Sequence, residues 1–222
     1  MNSTAPAAEM VRLIGVQPEL VRAICTFNQN PADYIDPSRR AEYFPAAETG
    51  PIWECARSRR HLSRHILDRM ALGPCLETRH PEWSLALLDR PRLDRVARHV
   101  AAALVGLRVR RCLSRAEVLK WRDWLSPEAH DFALKRAGLL PFNADAGEHA
   151  ALTTAQALGH TWIVAACRRW PDAMARRFML KLPAGTSRDS DTVDGAFAQR
   201  LVSSVLSIVE PRWCSSFATT RI

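Results

Sequence analysis

The sequence has no apolar stretch long enough to cross a membrane. Its longest uninterrupted apolar run, residues 100–107, has eight residues, whereas a transmembrane helix needs about 20. The first residues, MNSTAPAAEM, also lack the basic region and apolar core of a secretory signal peptide. Both absences lead us to expect a cytoplasmic protein.

Glycine is scarce as well, with nine residues in a chain of 222. None of the motifs GxSxG, GxxxxGK[ST] or GxGxxG is present, so the sequence offers neither a nucleophile elbow nor a glycine loop for phosphate. The six cysteines form no CxxC pair. In a cytoplasmic protein of this size we expect them to be reduced and mainly buried. We predict no catalytic residue, no cofactor site and no metal site.

One alternative to that prediction is a zinc site or an enzyme that uses two histidines. His61 and His65 are four residues apart and share a face of a predicted helix, and Cys75 and His80 follow in the sequence. Tetrahedral zinc needs three or four such ligands. However, the spacings match no standard zinc finger, no acidic residue lies between the two histidines, and the neighbouring arginines would repel a cation. A solvated basic helix face explains this segment better.

Lysine is also rare, because only three of the 31 basic residues are lysines. The net charge of +8 is unevenly placed: residues 57–115 contain 14 arginines against five acidic residues, and the rest of the chain is almost neutral. A local basic field of this kind attracts nucleic acid, anionic lipid or an acidic protein surface.

Apolar residues recur at helical spacing through most of the chain, and helix-capping signals separate the segments. Ser114 and Glu117 fit a capping box, and Ser126 fits an N-cap that is followed by proline. The main predicted helices cover residues 10–27, 52–72, 91–113, 148–170 and 197–209. The alternating segment RFMLKLP favours a short strand over residues 177–182 instead.

The predicted fold class is therefore mainly α, an irregular multi-helix globular domain with at most a minor short β element. Residues 1–50 are predicted to form an N-terminal helical and irregular segment. Residues 51–222 are predicted to form the main helical domain, and the two parts together make one compact unit. Residues 185–194 form a polar loop between helices.

The stretch LVGLRVRRCLSR, residues 104–115, begins apolar and ends in a cluster of positive charge. Two tryptophans follow at a spacing of three residues, on one helix face. Because arginine and tryptophan are enriched at the centres of protein interfaces, we predict a partner-binding surface here. Its candidate residues are Arg108, Arg110, Arg111, Arg115, Trp121 and Trp124.

The other two partners of a basic surface fit less well. The sequence contains no helix-turn-helix, RRM, KH or zinc-finger signature for reading nucleic acid. A membrane-surface helix should carry few acidic residues on its basic face, but Asp68, Asp89 and Asp94 interrupt the basic region. A basic helical regulatory protein that binds nucleic acid stays open as the alternative function.

Five segments in order resemble a known family. They are FNQNPADYIDPSR, RHPEW, the stretch from LVGLRVRRCLSR through AEVLKWRDWLSPEAHDFALKRAGLL, then RFMLKLP, and finally LVSSVLSIVEPRWCSSF. Together they resemble SctK, the YscK/PscK-like accessory protein of bacterial type III secretion systems. The segments extend over most of the chain.

The resemblance implies a role and a location. Proteins of this family are cytoplasmic adaptors in the sorting platform of the injectisome. They link the pod protein, SctQ, to the cytoplasmic domain of the inner-membrane ring protein, SctD. By this resemblance the chain would lack enzymatic activity, need no cofactor and bind no nucleic acid. It would lie at the cytoplasmic face of the inner membrane only through its partners.

Overall fold

A computed structural model describes residues 14–15, 17–45, 50–75, 80–139, 153–186 and 193–218. Within these ranges the regular structure consists of twelve α-helices and three short 3-10 helices, with no β-strand. The predicted fold class, mainly α, is confirmed. The 3-10 helices are Pro31–Asp33, Pro37–Arg39 and Ala137–Leu139. The α-helices are α1 (Pro18–Gln29), α2 (Arg40–Tyr43), α3 (Gly50–Glu54), α4 (Ala56–Met70), α5 (Trp83–Ala86), α6 (Arg90–Arg111), α7 (Arg115–Leu125), α8 (Pro127–Lys135), α9 (Ala155–Cys167), α10 (Asp172–Met179), α11 (Gly195–Val209) and α12 (Pro211–Ala218).

The chain forms two compact units, each built from separate stretches of sequence. Unit 1 comprises Met1–Asp89, Trp170–Thr186 and Ser216–Ile222, and unit 2 comprises Arg90–Arg169 and Ser187–Ser215. The division predicted from the sequence, at residue 50, stays a prediction. Parts of three predicted segments lie outside the described residues: the start of the first helix, the start of the helix predicted over residues 148–170, and most of the polar loop at 185–194.

Side-chain caps fix where several helices begin. The Ser114 hydroxyl accepts a hydrogen bond from the backbone N–H of Glu117 at 3.2 Å and donates to the Glu117 carboxylate at 2.8 Å. Ser114 therefore caps the start of α7, as predicted for the serine of a capping box. Ser126 caps α8 as predicted, with Pro127 in the first turn. Thr154 and Asp194 cap α9 and α11 in the same way.

The predicted strand over residues 177–182 is wrong. Helix α10 continues to Met179, and turns follow it. The alternation of apolar and basic residues indicated one buried and one exposed face, but Arg177 and Lys181 are buried as well. Since both faces are buried, the period-2 pattern held no information about exposure.

Aromatic side chains hold the core of unit 1 together. The ring of Phe27 stacks on Tyr34 and meets the edge of Trp83, with 5.5 Å between ring centroids in each pair. The Tyr34 hydroxyl donates a hydrogen bond to the carbonyl of Phe27 at 2.7 Å. A second buried cluster consists of Ala32, Ile35, Trp53, Leu62, Ile66, Met70 and Leu180.

Unit 2 is organised around α6. Its predicted apolar stripe is buried from Leu93 to Leu104, whereas the last predicted member, Leu107, is 40% exposed. Residues outside the stripe, such as Ala101, Ala102 and Val105, are buried too. The middle of α6 is thus enclosed on all sides by the other helices of unit 2, including α8, α9 and α11.

Helix α9 crosses α6 at very short range because residue 159 is glycine. A Cβ atom at Gly159 would overlap the backbone carbonyl of Ala97. Backbone atoms cannot rotate away from such an overlap as the end of a side chain can. The crossing therefore requires glycine at this position.

Replacing Gly159 with alanine is expected to destabilise unit 2 by about 1–3 kcal/mol, the usual range for overpacking. In a helix interior alanine is otherwise more stable than glycine by ~0.5–1 kcal/mol. The free-energy cost of the clash has to exceed that gain. The measurement is urea unfolding followed by circular dichroism. Gly73→Ala is the control, since no heavy atom lies within 4 Å of its added Cβ. A Gly159→Ala variant as stable as the control would contradict the close crossing.

A buried lysine in unit 1 leads to a prediction about pH. The ammonium of Lys181 donates hydrogen bonds to the carbonyls of Ala86 and Leu88, at 2.6 and 2.8 Å. The same nitrogen lies over the rings of Phe27 and Tyr34, 5.3 and 5.2 Å from their centroids. Burial lowers the pKa of Lys181 from 10.5 to about 7, and the Asp89 carboxylate opposes that shift. The neutral amine can still donate to both carbonyls.

Between about pH 7 and 10.5 the unfolded chain holds a proton on Lys181 that the folded chain releases. The free energy of unfolding should therefore rise with pH in this window, by at most ~1.4 kcal/mol per pH unit. Lys181→Met should remove this slope, as measured by urea unfolding at several pH values. Lys135→Met is the control, because the Lys135 side chain is 69% exposed. Equal slopes in the Lys181→Met variant and the wild type would contradict the prediction.

Candidate functional site

The six candidate interface residues all belong to unit 2, at the end of α6 and along α7. We call them the arginine–tryptophan surface: Arg108, Arg110, Arg111, Arg115, Trp121 and Trp124. The four arginines are exposed and the two tryptophans are half-buried. Three of the arginines lie in the last turn of α6. Positive charge at this end of a helix also stabilises the helix dipole.

The arginines differ in how firmly they are held. The Nε of Arg110 donates to the carbonyl of Gly106 at 3.2 Å. Its guanidinium also packs so closely on Gly138 that a Cβ there would overlap it. Arg110 therefore helps to hold the 3-10 helix at Ala137–Leu139 against α6. Arg111 and Arg115 are exposed on either side of the connection between α6 and α7.

The structure brings the two tryptophans together, as the sequence predicted. Their rings meet edge to face, with centroids 5.5 Å apart and planes at 87°. The Nε1 of Trp124 donates to the carbonyl of Thr153 at 2.9 Å. Trp124 therefore contributes to the packing of unit 2, and it presents only part of its ring to solvent.

Sequence reasoning missed the apolar part of this surface. Leu113, in the connection between α6 and α7, has 96% of its surface exposed, and Leu119 on α7 has 45% exposed. Among the residues of α7 only Leu125 is buried. Five large apolar residues cover more than half of the circumference of α7, at 100° per residue. They are Val118, Leu119, Trp121, Trp124 and Leu125. A single core contact cannot cover so wide an arc, and this width is a signal that the sequence contains.

Charge surrounds these exposed leucines. From residue 108 to 124 the chain has six basic and two acidic residues. One of the two acids, Glu117, is already engaged with the Ser114 cap. The surface thus combines exposed aliphatic groups with guanidinium groups that few nearby carboxylates neutralise.

The two histidines considered as zinc ligands lie on α4 in unit 1. The ring of His65 packs on Phe44, with 4.7 Å between centroids. In the part of the chain that the structure describes, no three His, Cys, Asp or Glu side chains are grouped to hold a metal ion. All six cysteines are reduced thiols, but only Cys75 and Cys167 are buried, which is fewer than expected.

Among the described helices, none combines the length and the hydropathy that crossing a bilayer requires. Helix α6 has the length, with 22 residues, but charged residues occupy both of its ends.

Comparison with known proteins identifies the family. A family model described as "YOP proteins translocation protein K (YscK)" matches residues 23–213. No curated protein and no solved structure matches the chain. The matched range contains every segment quoted for the resemblance to SctK except the last residues of the fifth. Because the match covers most of the sequence, the chain belongs to the YscK family of type III secretion proteins.

Proposed function

We propose that this chain is a non-enzymatic cytoplasmic adaptor of the type III secretion sorting platform. In this role it links an SctQ-like pod protein to the cytoplasmic domain of an SctD-like inner-membrane ring protein. The observation that carries the proposal is the family match over residues 23–213. The assembled protein would lie at the cytoplasmic face of the inner membrane, held there by its partners.

We further propose that the arginine–tryptophan surface, together with Leu113 and Leu119, binds one of these two partners. Burial of apolar area contributes ~25 cal/mol per Å², whereas an exposed ion pair contributes about 0–1 kcal/mol. The leucines and tryptophans would therefore supply most of the affinity. The arginines would speed association with an acidic partner surface and select it over other surfaces.

One observation favours the alternative function, binding of nucleic acid. The exposed face of α4 carries Arg57, Arg60, His61 and Arg64, with Asp68 as its acidic residue. If these basic side chains bound the phosphates of a nucleic acid, the affinity would fall steeply as the salt concentration increases. An adaptor with an apolar interface centre should be less sensitive to salt, and this difference separates the two functions.

The proposed function is tested first by co-purification from the native host at moderate salt, with cytosolic and membrane fractions kept separate. Recovery of the pod protein and the ring protein with the tagged chain is the expected result. Recovery of nucleic acid alone, lost when salt is raised, would replace the adaptor with the alternative.

Charge reversal should separate binding from folding at this surface. We expect the double variant Arg111→Glu/Arg115→Glu to weaken binding of one purified partner by about tenfold, which corresponds to ~1.4 kcal/mol. Little net stability should be lost, because the favourable negative charge that Arg115→Glu places in the first turn of α7 offsets the unfavourable one that Arg111→Glu places in the last turn of α6. Titration calorimetry measures the affinity, and thermal unfolding measures the stability.

The matched control for this pair is Arg60→Glu/Arg64→Glu on α4, which changes the net charge equally. Unchanged affinity of the α7-side variant for both partners would remove the surface from the interface. An equal loss in both double variants would indicate a general electrostatic effect. Arg110→Glu is expected to reduce stability as well, because it breaks the contacts with Gly106 and Gly138.

The exposed leucine gives an independent prediction. Leu113→Ser should change the free energy of unfolding by less than ~0.5 kcal/mol, as surface substitutions do. It should also accelerate dissociation of the partner, as measured by surface plasmon resonance, because the leucine is buried only in the complex. Ile52→Ser in unit 1, where Ile52 is 45% exposed, is the control. Dissociation as slow as in the wild type would exclude Leu113 from the interface.

A further inference from the structure

Unit 1 contains a cleft that the proposed function does not use. Its volume is about 370 Å³, within the range of ligand-binding pockets. Helices α2, α4 and α10, with the 3-10 helix Pro37–Arg39, provide its walls. Its basic residues are Arg39, Arg69 and Arg176, and its apolar residues are Met70, Met179 and Leu180.

Backbone carbonyls hold the guanidinium groups of the cleft in place. Arg39 donates from Nε to the carbonyl of Leu182 at 2.7 Å and from Nη2 to that of Pro183 at 3.1 Å. The Nη1 of Arg69 donates to the carbonyl of Tyr43 at 3.2 Å. The Nη2 of Arg176 donates to the carbonyl of Met70 at 2.9 Å.

These carbonyls orient the guanidinium groups without neutralising them. Glu42 is the carboxylate in the lining, and it pairs with Arg39 at 3.2 Å. Arg176 also approaches Asp172, at 3.7 Å, outside the lining. The cleft therefore presents three guanidinium groups against one lining carboxylate, and their positions are set before any ligand arrives. Preorganised charge of this kind favours an anionic ligand.

The apolar part of the cleft restricts the kind of anion. Met70 and Leu180 are buried, whereas Arg69 and Arg176 are exposed. The aliphatic side chains thus form the floor and the guanidinium groups form part of the rim. Methionine side chains adapt to differently shaped partners, which suits a floor that receives an aliphatic or aromatic side chain. Met179 is half-buried, so it is the accessible part of this floor, and a small inorganic anion would leave it uncovered.

We propose that this cleft binds an acidic segment of a partner protein, in which an Asp or Glu lies next to a large apolar side chain. The carboxylate would pair with the guanidinium groups of Arg69 and Arg176, and the apolar side chain would pack on Met179, next to the buried Met70 and Leu180. The cleft residues belong to unit 1, and those of the arginine–tryptophan surface belong to unit 2. The inference does not depend on the adaptor role, since it rests on the geometry of the cleft alone.

The experiment is selection of a displayed library of random peptides on the full chain, followed by synthesis of the consensus peptide. We expect the consensus to place Asp or Glu beside Leu, Ile, Met or Phe. Fluorescence anisotropy should show that Arg69→Glu weakens binding of this peptide by about tenfold or more. Arg64→Glu is the matched control on the same helix, because its side chain is 85% exposed outside the cleft and the change in charge is equal. It should leave the affinity within about twofold of the wild type.

A second variant tests the floor. Met179→Ser should weaken binding of the consensus peptide. It should leave unchanged the binding of a peptide that lacks the apolar side chain. Arg69→Gln replaces Arg69→Glu if the charge reversal impairs folding, and circular dichroism checks each variant.

A consensus without acidic residues, equal losses of affinity in the Arg64 and Arg69 variants, or a library without binders would overturn the proposal. Full displacement of the peptide by inorganic phosphate, or by vesicles of anionic lipid, would also overturn it, by assigning the cleft to a simple anion or a membrane. None of these results bears on the partner binding tested at Arg111 and Arg115.

Discussion

The close crossing of α6 and α9 is the constraint on which unit 2 depends. Helices can approach to backbone contact only where side chains are absent or small, and here Gly159 meets the backbone of Ala97. Ala101 and Ala102 continue the series of small buried residues on α6. With its middle enclosed, α6 has a fixed position. Its last turn, beyond the buried Val109, then presents arginines instead of apolar side chains.

Arginine serves several physical purposes in this chain, so the total charge says little about function. Arg177 is 1% exposed and donates to the carbonyls of Ala173 and Leu72, at 3.0 and 3.3 Å. Arg95 pairs with Glu128 and, at 3.0 Å, with Glu210. These side chains stabilise the folded units. The arginines that can recruit a partner are those oriented by neutral groups or exposed beside apolar side chains.

Both candidate surfaces combine guanidinium groups with apolar side chains, but they present these groups differently. The arginine–tryptophan surface exposes Leu113 almost completely, so this side chain can enter a groove on a partner. The unit 1 cleft is concave and suits an inserted segment. In both, apolar contacts would supply affinity and guanidinium groups would supply selectivity for acidic partners. A chain that joins two neighbours needs two such surfaces, which agrees with the adaptor proposed for this member of the YscK family.

The sequence by itself determined the helical class, because apolar spacing and capping signals are local and each agreed with the others. Ser114, Ser126 and the stripe on α6 could be assigned in this way, and the family was identifiable from the order of its segments. Only the tertiary structure decided exposure. Arg177 and Lys181 are polar by residue type but buried, because backbone carbonyls far away in sequence accept their hydrogen bonds. Leu113 is apolar but exposed, because none of the described elements of unit 2 covers the connection in which it lies. Burial depends on which residues, distant in sequence, pack against a position, and a local sequence pattern does not identify those residues.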